Sequence, residues 1–241
     1  MRLIIHKLTN MKRKNRILFI PLIVMGLGLI FINSCTKDDN EIETGSVFDQ
    51  DGNSYTTVTI GTQEWMVENL KTTKYNDGSS IPLVTGRNDW ESLTTPGYCW
   101  YDNDAATYKN PYGAMYNWYA VNTGKLCPTG WHVPTIEESE TLVDYLGGSV
   151  VAGGKLKETG TTHWDSPNTD ATNEVGFTAL PGGMRWDDGE FLAIGYDGYW
   201  WTATEFSAES GRGRSMGSDH GEVTYVYANK KFGYSVRCLK D

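Results

Sequence analysis

Hydrophobic and polar positions alternate with a period of two over residues 55–60, which is the pattern of a half-buried β-strand. Gly61 and Thr62 separate this stretch from a second one, residues 63–67, at the spacing of a tight hairpin. Later apolar or aromatic runs are equally short, and each is bounded by Gly, Asn or Asp. We therefore predict further antiparallel strands over residues 176–180, 198–202, 223–227 and 233–238.

Helical periodicity is clearest after Thr135. Thr135 and Glu138 have the spacing of a capping box, and Gly147 and Gly148 end the periodic stretch. A shorter helix is predicted over residues 113–121. The side of the longer helix that we expect to be buried consists of Ile136, Leu142, Val143 and Leu146. One or two short helices among many short antiparallel strands predict an α+β fold with long irregular loops.

Aromatic residues rather than long aliphatic helices supply the expected core, because the chain has nine Trp and fourteen Tyr beside 27 Gly and eight Pro. The polar passage over residues 71–110 contains Trp90 and Trp100, so we expect long loops held in place by buried rings. No Pro/Ser-rich break interrupts residues 46–241. We predict one domain over this range.

The first 34 residues have the organisation of an export signal. A basic segment at residues 11–16 precedes an apolar run at residues 17–32, which is shorter than the roughly 20 residues that a straight membrane-spanning helix needs. We predict a signal peptide over residues 1–34, with translation beginning at Met1 or at the better-placed Met11. The alternative is an uncleaved transmembrane anchor.

Small residues precede Cys35, and this arrangement resembles a lipobox. It predicts cleavage before Cys35, lipidation of that thiol and a lipid anchor in the membrane. Residues 35–45 then form an acidic tether, which is either a solvated linker or, as in similar lipoproteins of Bacteroidetes, a signal for display outside the cell. We expect an exported outer-membrane lipoprotein that faces either the periplasm or the cell surface.

Charge excludes one class of partner. Without the first 34 residues the chain has 15 basic and 30 acidic side chains, a net charge of −15. Such a domain is repelled by phosphate backbones and anionic lipid, so we expect no nucleic-acid binding.

Catalytic patterns are lacking. The histidines of the domain, His132, His163 and His220, have neither a catalytic nor a zinc-binding spacing. Asp187 and Asp188 precede a glycine and are typical of a turn, and Glu205 stands alone. We therefore expect no catalytic residue, metal site or cofactor, and a polysaccharide hydrolase is the least favoured function.

Several phrases together resemble the Fibrobacter succinogenes major paralogous domain. They are WMVENL (65–70), KYND (74–77), YNWY (116–119), LCPTGWHVP (126–134), GFTALPGG (176–183), YWWT (199–202) and SVRC (235–238). The resemblance covers residues 46–241 and implies a C-type-lectin-like fold, related in outline to formylglycine-generating enzymes, without implying an activity. The chain lacks both the catalytic cysteine pair of those enzymes and the calcium-binding tripeptides of C-type lectins.

The number of cysteines permits a disulfide in the oxidising compartment to which an exported protein is delivered. With Cys35 lipidated, Cys99, Cys127 and Cys238 remain, which allows one disulfide and one free thiol. The lectin-like resemblance implies a bond between Cys127 and Cys238. Cys99 is then either a buried inert thiol or a reactive one.

The candidate ligand-binding region is residues 184–231, where aromatic residues stand near carboxylates and arginines among Gly-rich turns. The candidates are Trp186, Asp187, Tyr196, Tyr199, Trp200, Trp201, Glu205, Arg212, Arg214 and Asp219. The alternative for Trp200 and Trp201 is that one lies in the core and the other on the surface. We predict a non-catalytic, lectin-like module that binds a glycan or a surface protein, or else an adhesive coat protein without a discrete ligand.

Overall fold

In the computed structural model, which describes residues 44–241, short helices and antiparallel strands are mixed, and this confirms the predicted α+β class. The strands in this part of the chain are β1 (Thr44–Phe48), β2 (Ser54–Ile60), β3 (Gln63–Met66), β4 (Tyr98–Cys99), β5 (Met115–Tyr116), β6 (Trp131–His132), β7 (Met184–Arg185), β8 (Phe191–Leu192), β9 (Asp197–Glu205), β10 (Ser210–Gly217), β11 (Thr224–Asn229) and β12 (Leu239–Lys240). The helices are α1 (Arg87–Glu91), α2 (Ala105–Tyr112), α3 (Trp118–Val121), α4 (Ile136–Tyr145) and α5 (Ser149–Leu156), with a 3-10 turn at Tyr101–Asn103.

The predicted signal peptide at residues 1–34, the lipidation site Cys35 and residues 36–43 of the predicted tether lie outside the described residues. The last part of that tether, from Thr44, already belongs to β1. Within residues 44–241, no helix is both long enough and apolar enough to cross a membrane.

A five-stranded antiparallel sheet, in the order β1-β2-β3-β12-β6, joins the first and last strands of the described chain. The predicted hairpin is confirmed as β2 and β3, and Gly61 between them has the positive φ of 63° that favours glycine. Leu239 of β12 pairs with Trp65 on one side and with His132 on the other. The last described strand, β12, therefore lies between β3 and β6 within the sheet that contains the first described strands.

A three-stranded antiparallel sheet, in the order β11-β10-β9, separates two hydrophobic clusters. Trp200 and Trp201 are neighbours on β9, so they point to opposite faces of the sheet. Trp201 packs with Tyr234 in one cluster, and Trp200 packs with Met216 in the other. The predicted strands at 198–202 and 223–227 are confirmed as parts of β9 and β11.

Strand β10 has the sequence SGRGRSMG, which gives no strand signal, and the patterns above miss it. Its glycines are required by close packing. A Cβ atom at Gly211 would lie 2.4 Å from Cδ1 of Trp118, and one at Gly213 would lie 2.5 Å from the carbonyl oxygen of Trp200. The usual β-branched residues are therefore excluded from these positions.

Helix α4 confirms the capping-box prediction. The Thr135 hydroxyl accepts a hydrogen bond from the Glu138 amide, and the Glu138 carboxylate accepts one from the Thr135 amide. Gly147 and Gly148 follow with φ values of 99° and 94°, which end the helix as predicted. The predicted buried side, Ile136, Leu142, Val143 and Leu146, is buried.

Residues 113–121 do not form the single predicted helix. They form β5 and then α3, because Asn117 is extended and its side chain accepts a hydrogen bond from the Ala120 amide, which begins the helix one residue later. The amide of Tyr116, in β5, donates to the carbonyl of Tyr234. Pairing with a distant segment therefore replaces the first helical turn.

Two predicted strands do not form continuous strands in the structure. Residues 176–180 make an isolated bridge between Ala179 and Lys157, and residues 233–238 make isolated bridges rather than a continuous ladder. Gly176 and Thr178 have positive φ values of 70° and 53°, so residues 176–180 are not continuously extended, and residues 233–235 pair singly with three different segments. Period-two patterning predicts neither the positive φ values of residues 176–180 nor the single-residue pairing.

A disulfide joins Cys127 to Cys238, with their Cα atoms 6.0 Å apart, and confirms the pairing that the resemblance implies. The two cysteines are 111 residues apart in the sequence, and both lie in the larger hydrophobic cluster. Cys99 is free and fully buried, and burial raises the pKa of its thiol to about 12. A thiol in that state is protonated at neutral pH and inert.

Candidate functional site

The predicted ligand-binding residues do not form one site. They fall in the core and in three separate surface regions. The core contains Trp200 and Trp201, the β7–β8 hairpin carries Trp186, the neighbourhood of Tyr196 contains Tyr199 and Asp219, and β10 with its flanks carries Glu205, Arg212 and Arg214.

Trp200 and Trp201 are buried, with 7% and 1% of their surface exposed. The indole N–H of Trp200 donates to Asn69 Oδ1 at 2.8 Å, and that of Trp201 donates to the Tyr116 carbonyl at 2.8 Å. The expectation that one of them reaches the surface is wrong, because both faces of β9 are covered. Neither ring can stack on a ligand at the surface.

The most aromatic exposed region lies on the side of the three-stranded sheet that α4 leaves partly open. Phe206, Tyr225 and Tyr227 are 53%, 45% and 55% exposed. Arg212 of β10 pairs in register with Tyr227 of β11, so the two side chains leave the same face of the sheet. We call Phe206, Arg212, Tyr225 and Tyr227 the aromatic face.

Arg214 supports this face from below. It is 4% exposed, its Cζ lies 3.9 Å from the Tyr225 ring centroid, and its Nε donates to Ser139 Oγ at 3.0 Å. Arg214 also forms an ion pair with Glu140 of α4, and the Tyr225 hydroxyl donates to the same carboxylate. The Tyr225 hydrogen bond and then Arg214 lower the pKa of Glu140. Arg214 therefore positions Tyr225, and its burial rules out the predicted direct contact with a surface ligand.

Arg212 lies against two rings. The centroids of Phe206 and Tyr227 are 4.5 Å apart, and the guanidinium carbon is 5.5 Å from the first and 5.8 Å from the second. Within residues 44–241 its buried Nε has no hydrogen-bond partner. The rings hold the guanidinium by cation–π attraction, and its two terminal nitrogens donate no hydrogen bond to the described residues.

Glu205 flanks the aromatic face and is engaged in an ion pair with Lys230. The Lys230 ammonium also donates to the Ala208 carbonyl at 2.8 Å and lies 4.7 Å from the Trp118 ring centroid. Lys230 is buried whereas Glu205 is exposed. This pair fixes the loop that carries Phe206.

A second surface region consists of two tyrosine–aspartate pairs. The Tyr196 hydroxyl donates to Asp219 at 2.7 Å, and the Tyr199 hydroxyl donates to Asp197 at 2.9 Å. The hydrogen bond from Tyr196 lowers the pKa of Asp219, whereas burial raises the pKa of Asp197. The predicted residues Tyr199 and Asp219 thus lie in one region but do not bond to each other. Tyr199 donates to Asp197, and Asp219 accepts from Tyr196.

Lys157 holds the loops beside this second region. It is fully buried, and its ammonium donates to the carbonyls of Thr169, Gly217 and His220 at 2.9, 2.9 and 2.8 Å. Burial lowers its pKa to about 8, so the ammonium is charged at neutral pH. Three carbonyl oxygens around one buried cation resemble the oxygen environment that proteins offer to a metal ion, here supplied by the chain itself.

Trp186 defines the third region. It is 40% exposed and packs on Phe232 with ring centroids 4.4 Å apart. Asp187 and Asp188 lie in the turn of the β7–β8 hairpin, as predicted, and Asp188 accepts from Arg87 at 2.7 Å. A single exposed ring at this hairpin offers less contact area than the three exposed rings of the aromatic face.

Hollows occur among the described residues both in the interior and beside the five-stranded sheet. A cavity of about 40 Å³, lined by Trp65, Leu142 and Trp200 among others, is far smaller than the roughly 300 Å³ that ligand pockets begin at. A hollow of about 400 Å³ beside β3 is lined by Glu64 and Lys240, which pair with each other at 2.6 Å. Neither has exposed rings.

The three histidines contact different carboxylates rather than one another. The partners are Glu138 and Asp241 for His132, Glu158 for His163 and Asp219 for His220. Among residues 44–241, no group of three or more His, Cys, Asp or Glu side chains is arranged to hold a metal ion.

Sequence reasoning misses three of the four residues of the aromatic face. Tyr225 and Tyr227 lie at alternate positions of a predicted strand, and this spacing signals a shared face. Phe206 has no comparable signal, because it lies in the turn after β9. Glu140 accepts the hydrogen bond from the Tyr225 hydroxyl, but nothing in the sequence distinguishes it from the other acidic residues of α4.

Comparison with known proteins gives one match. A family model described as the Fibrobacter succinogenes major domain matches residues 58–240. No curated protein and no solved structure matches the chain.

Proposed function

The chain belongs to the Fibrobacter succinogenes major domain family, and we propose that this member is a non-catalytic module that binds a glycan through its aromatic face. Sugar rings bind proteins by stacking their apolar C–H faces on aromatic side chains while nearby polar groups bond to the hydroxyls. Phe206, Tyr225 and Tyr227 provide exposed rings, and Arg212 provides donors between them.

The observation that carries the proposal is the fixed geometry of exposed rings. Tyr225 is held by Glu140 and Arg214, and Tyr227 packs against Phe206 with centroids 4.5 Å apart. Rings that are already ordered lose little conformational entropy when a ligand stacks on them. Exposed aromatic residues have no comparable reason to be held in place on a surface that contacts only water.

We propose further that the fold is C-type-lectin-like. The last strand, β12, lies between β3 and β6, and the Cys127–Cys238 bond ties the segment before β6 to the segment before β12. Long loops connect the short elements. A solved structure with a different strand order would remove this part of the proposal.

For the cellular setting, we propose an exported outer-membrane lipoprotein anchored through Cys35 and displayed on the cell surface. The support is the basic and apolar segment at residues 1–34 and the acidic tether that follows it. Cys35→Ala is expected to release the protein from the membrane fraction. Retention of that variant in membranes would contradict lipid anchoring.

The test of glycan binding uses the full-length protein in detergent on an array of cell-wall and plant polysaccharides. Phe206→Ala and Tyr227→Ala should each lose the signal that the unaltered protein gives. The matched controls are Phe48→Ala and Tyr145→Ala, which remove exposed rings elsewhere, 62% and 64% exposed. Release of sugar products from an array polysaccharide, abolished by a change at Asp187 or Glu205, would instead indicate a hydrolase.

A second candidate function is adhesion by self-association. Strand β11 lies at the edge of its sheet and has the sequence TYVYAN, without a charge or a proline. Edge strands of this kind pair with other chains unless they are protected. Concentration-dependent sedimentation at micromolar protein would favour this candidate, whereas a monomer at all concentrations would exclude it.

A further inference from the structure

Arg212 differs from the other arginines of residues 44–241. Four of the five donate side-chain hydrogen bonds to described residues, whereas Arg212 donates none, and its buried Nε has no partner. Each of the other four arginines has at least one hydrogen-bond acceptor. These include Asp188 for Arg87, the Val84 carbonyl for Arg185, Glu140 for Arg214 and the Phe177 carbonyl for Arg237.

The position of Arg212 is nonetheless fixed. Its Cζ lies 5.5 Å from the Phe206 centroid and 5.8 Å from the Tyr227 centroid, and the strand register places it opposite Tyr227. A guanidinium held in this way presents planar donors that match the two oxygens of a carboxylate. The site is therefore organised before any acceptor arrives.

We propose that Arg212 makes the aromatic face selective for acidic sugars, that is, for glycans with a carboxylate on the pyranose ring. A sugar ring stacked on Tyr227 or Phe206 brings a carboxylate on its edge within reach of the guanidinium, because both centroids lie less than 6 Å from Cζ. This specificity rests on the proposed function, since it names the sugar class for the same face.

Glu140 and Glu205, the two carboxylates that the aromatic face and its flanks engage, have partners other than Arg212. Glu140 is paired with Arg214 and Tyr225, and Glu205 is paired with Lys230. The chain as a whole is acidic, with a net charge of −9, but charges farther away than about 8 Å are largely screened at physiological salt. A carboxylate beside Arg212 therefore experiences mainly the guanidinium.

An acidic peptide is the competing class of ligand, and the rings favour the sugar. A peptide carboxylate would use Arg212 without needing two adjacent exposed rings in contact with it. The rings of Phe206 and Tyr227 offer a flat apolar surface next to the guanidinium, which suits a pyranose that carries its own acid.

The experiment measures binding of the full-length protein in detergent to an oligogalacturonate and to the same oligosaccharide after carboxyl reduction, by isothermal titration. We expect the acidic form to bind at least about tenfold more tightly and to lose this advantage at high salt. Arg212→Gln should bind both forms with the affinity of the neutral one. Arg212→Lys should keep part of the preference, because it retains the charge but not the planar fork.

Arg87→Gln, at an exposed arginine elsewhere, is the matched control and should leave both affinities unchanged. Equal binding of the two oligosaccharides, or an unchanged preference in Arg212→Gln, would overturn the proposal while leaving glycan binding intact. Arg212-dependent binding of poly-glutamate without binding of either sugar would also overturn it. Binding of neither sugar, together with an empty glycan array, would instead refute the proposed function itself.

Discussion

At the scale of single residues, buried cations take the place of apolar contacts at several points of this fold. Lys157 is the clearest case, since its ammonium is fully buried and binds three backbone carbonyls from two different loops. A carbonyl left without a donor in the interior costs free energy. One side chain therefore determines the conformation of loops that have little regular structure of their own.

We expect Lys157→Met to lower the free energy of unfolding by on the order of 3 kcal/mol, because three buried carbonyls lose their donor together. Urea denaturation gives the measurement. Lys155→Met, in α5 just before Lys157, removes only a surface ion pair with Glu174 and should cost less than about 1 kcal/mol. Equal effects of the two substitutions would show that the buried ammonium has no special role.

His132 gives the fold a dependence on pH. Burial opposes protonation of its ring, but the hydrogen bonds to Asp241 and Glu138 outweigh burial and raise its pKa. An unfolded histidine titrates near pH 6.5, so this contribution to stability is fully present below about pH 6.5 and is lost as the pH rises through the higher folded pKa.

His132→Gln should therefore reduce the free energy of unfolding more at about pH 5.5 than at about pH 8.5. Asp241→Asn removes one of the two carboxylates and should reduce the same difference partially. Chemical denaturation at the two pH values measures it. A loss of stability that is the same at both values would mean that the histidine is not charged in the folded protein.

The fate of Trp200 and Trp201 shows where residue-level prediction ends. Alternation along a strand correctly separates them to opposite faces. Whether a face is covered depends on α4 and on Tyr234, which are distant in sequence. Burial of both indoles therefore could not be predicted from the strand alone.

At the scale of elements, the sequence predicts those whose signals are local. The hairpin β2–β3 and the capping box of α4 depend on neighbouring residues, and both are confirmed. Strand β10 and helix α5 are missed because glycines interrupt them. In both, the glycines are required by close contacts with residues distant in sequence rather than by local conformation.

Gly153 of α5 illustrates this requirement. Alanine has a higher helix propensity than glycine by about 1 kcal/mol, but a Cβ atom here would lie 2.4 Å from the Glu222 carbonyl oxygen. We expect Gly153→Ala to destabilise the protein by about 1–2 kcal/mol net, since backbone cannot yield as a side chain can. Thermal unfolding measures the change.

Val150→Ala, at a position 67% exposed on the same helix, is the control and should stay within about 0.5 kcal/mol. A stabilising effect of Gly153→Ala would contradict the packing of α5 against residues 221–222.

At the scale of the whole molecule, closure of the chain on itself organises the candidate site. Strand β12 and the Cys127–Cys238 bond join the end of the chain to its middle, and the three-stranded sheet packs between the two hydrophobic clusters. The family resemblance implies the disulfide, whereas residue spacing leaves the pairing open. The aromatic face lies on this three-stranded sheet and on the turn after β9.

Only part of the candidate site could be predicted from the sequence. The whole aromatic face lies in the predicted region, residues 184–231, but only Arg212 and the flanking Glu205 are among the predicted residues, and the rings come from β11 and from a turn. Their proximity depends on strand register and on the loop fixed by Lys230. No local pattern contains that information.

The central claim is that the aromatic face binds a glycan, and the most direct measurement is the dissociation constant of the double variant Phe206→Ala/Tyr227→Ala for the glycan that the unaltered protein binds best. Loss of both rings is expected to weaken binding at least about 100-fold while the unfolding temperature stays close to that of the control double variant Phe48→Ala/Tyr145→Ala. An unchanged dissociation constant in the folded double variant would contradict the assignment of this face as the binding site.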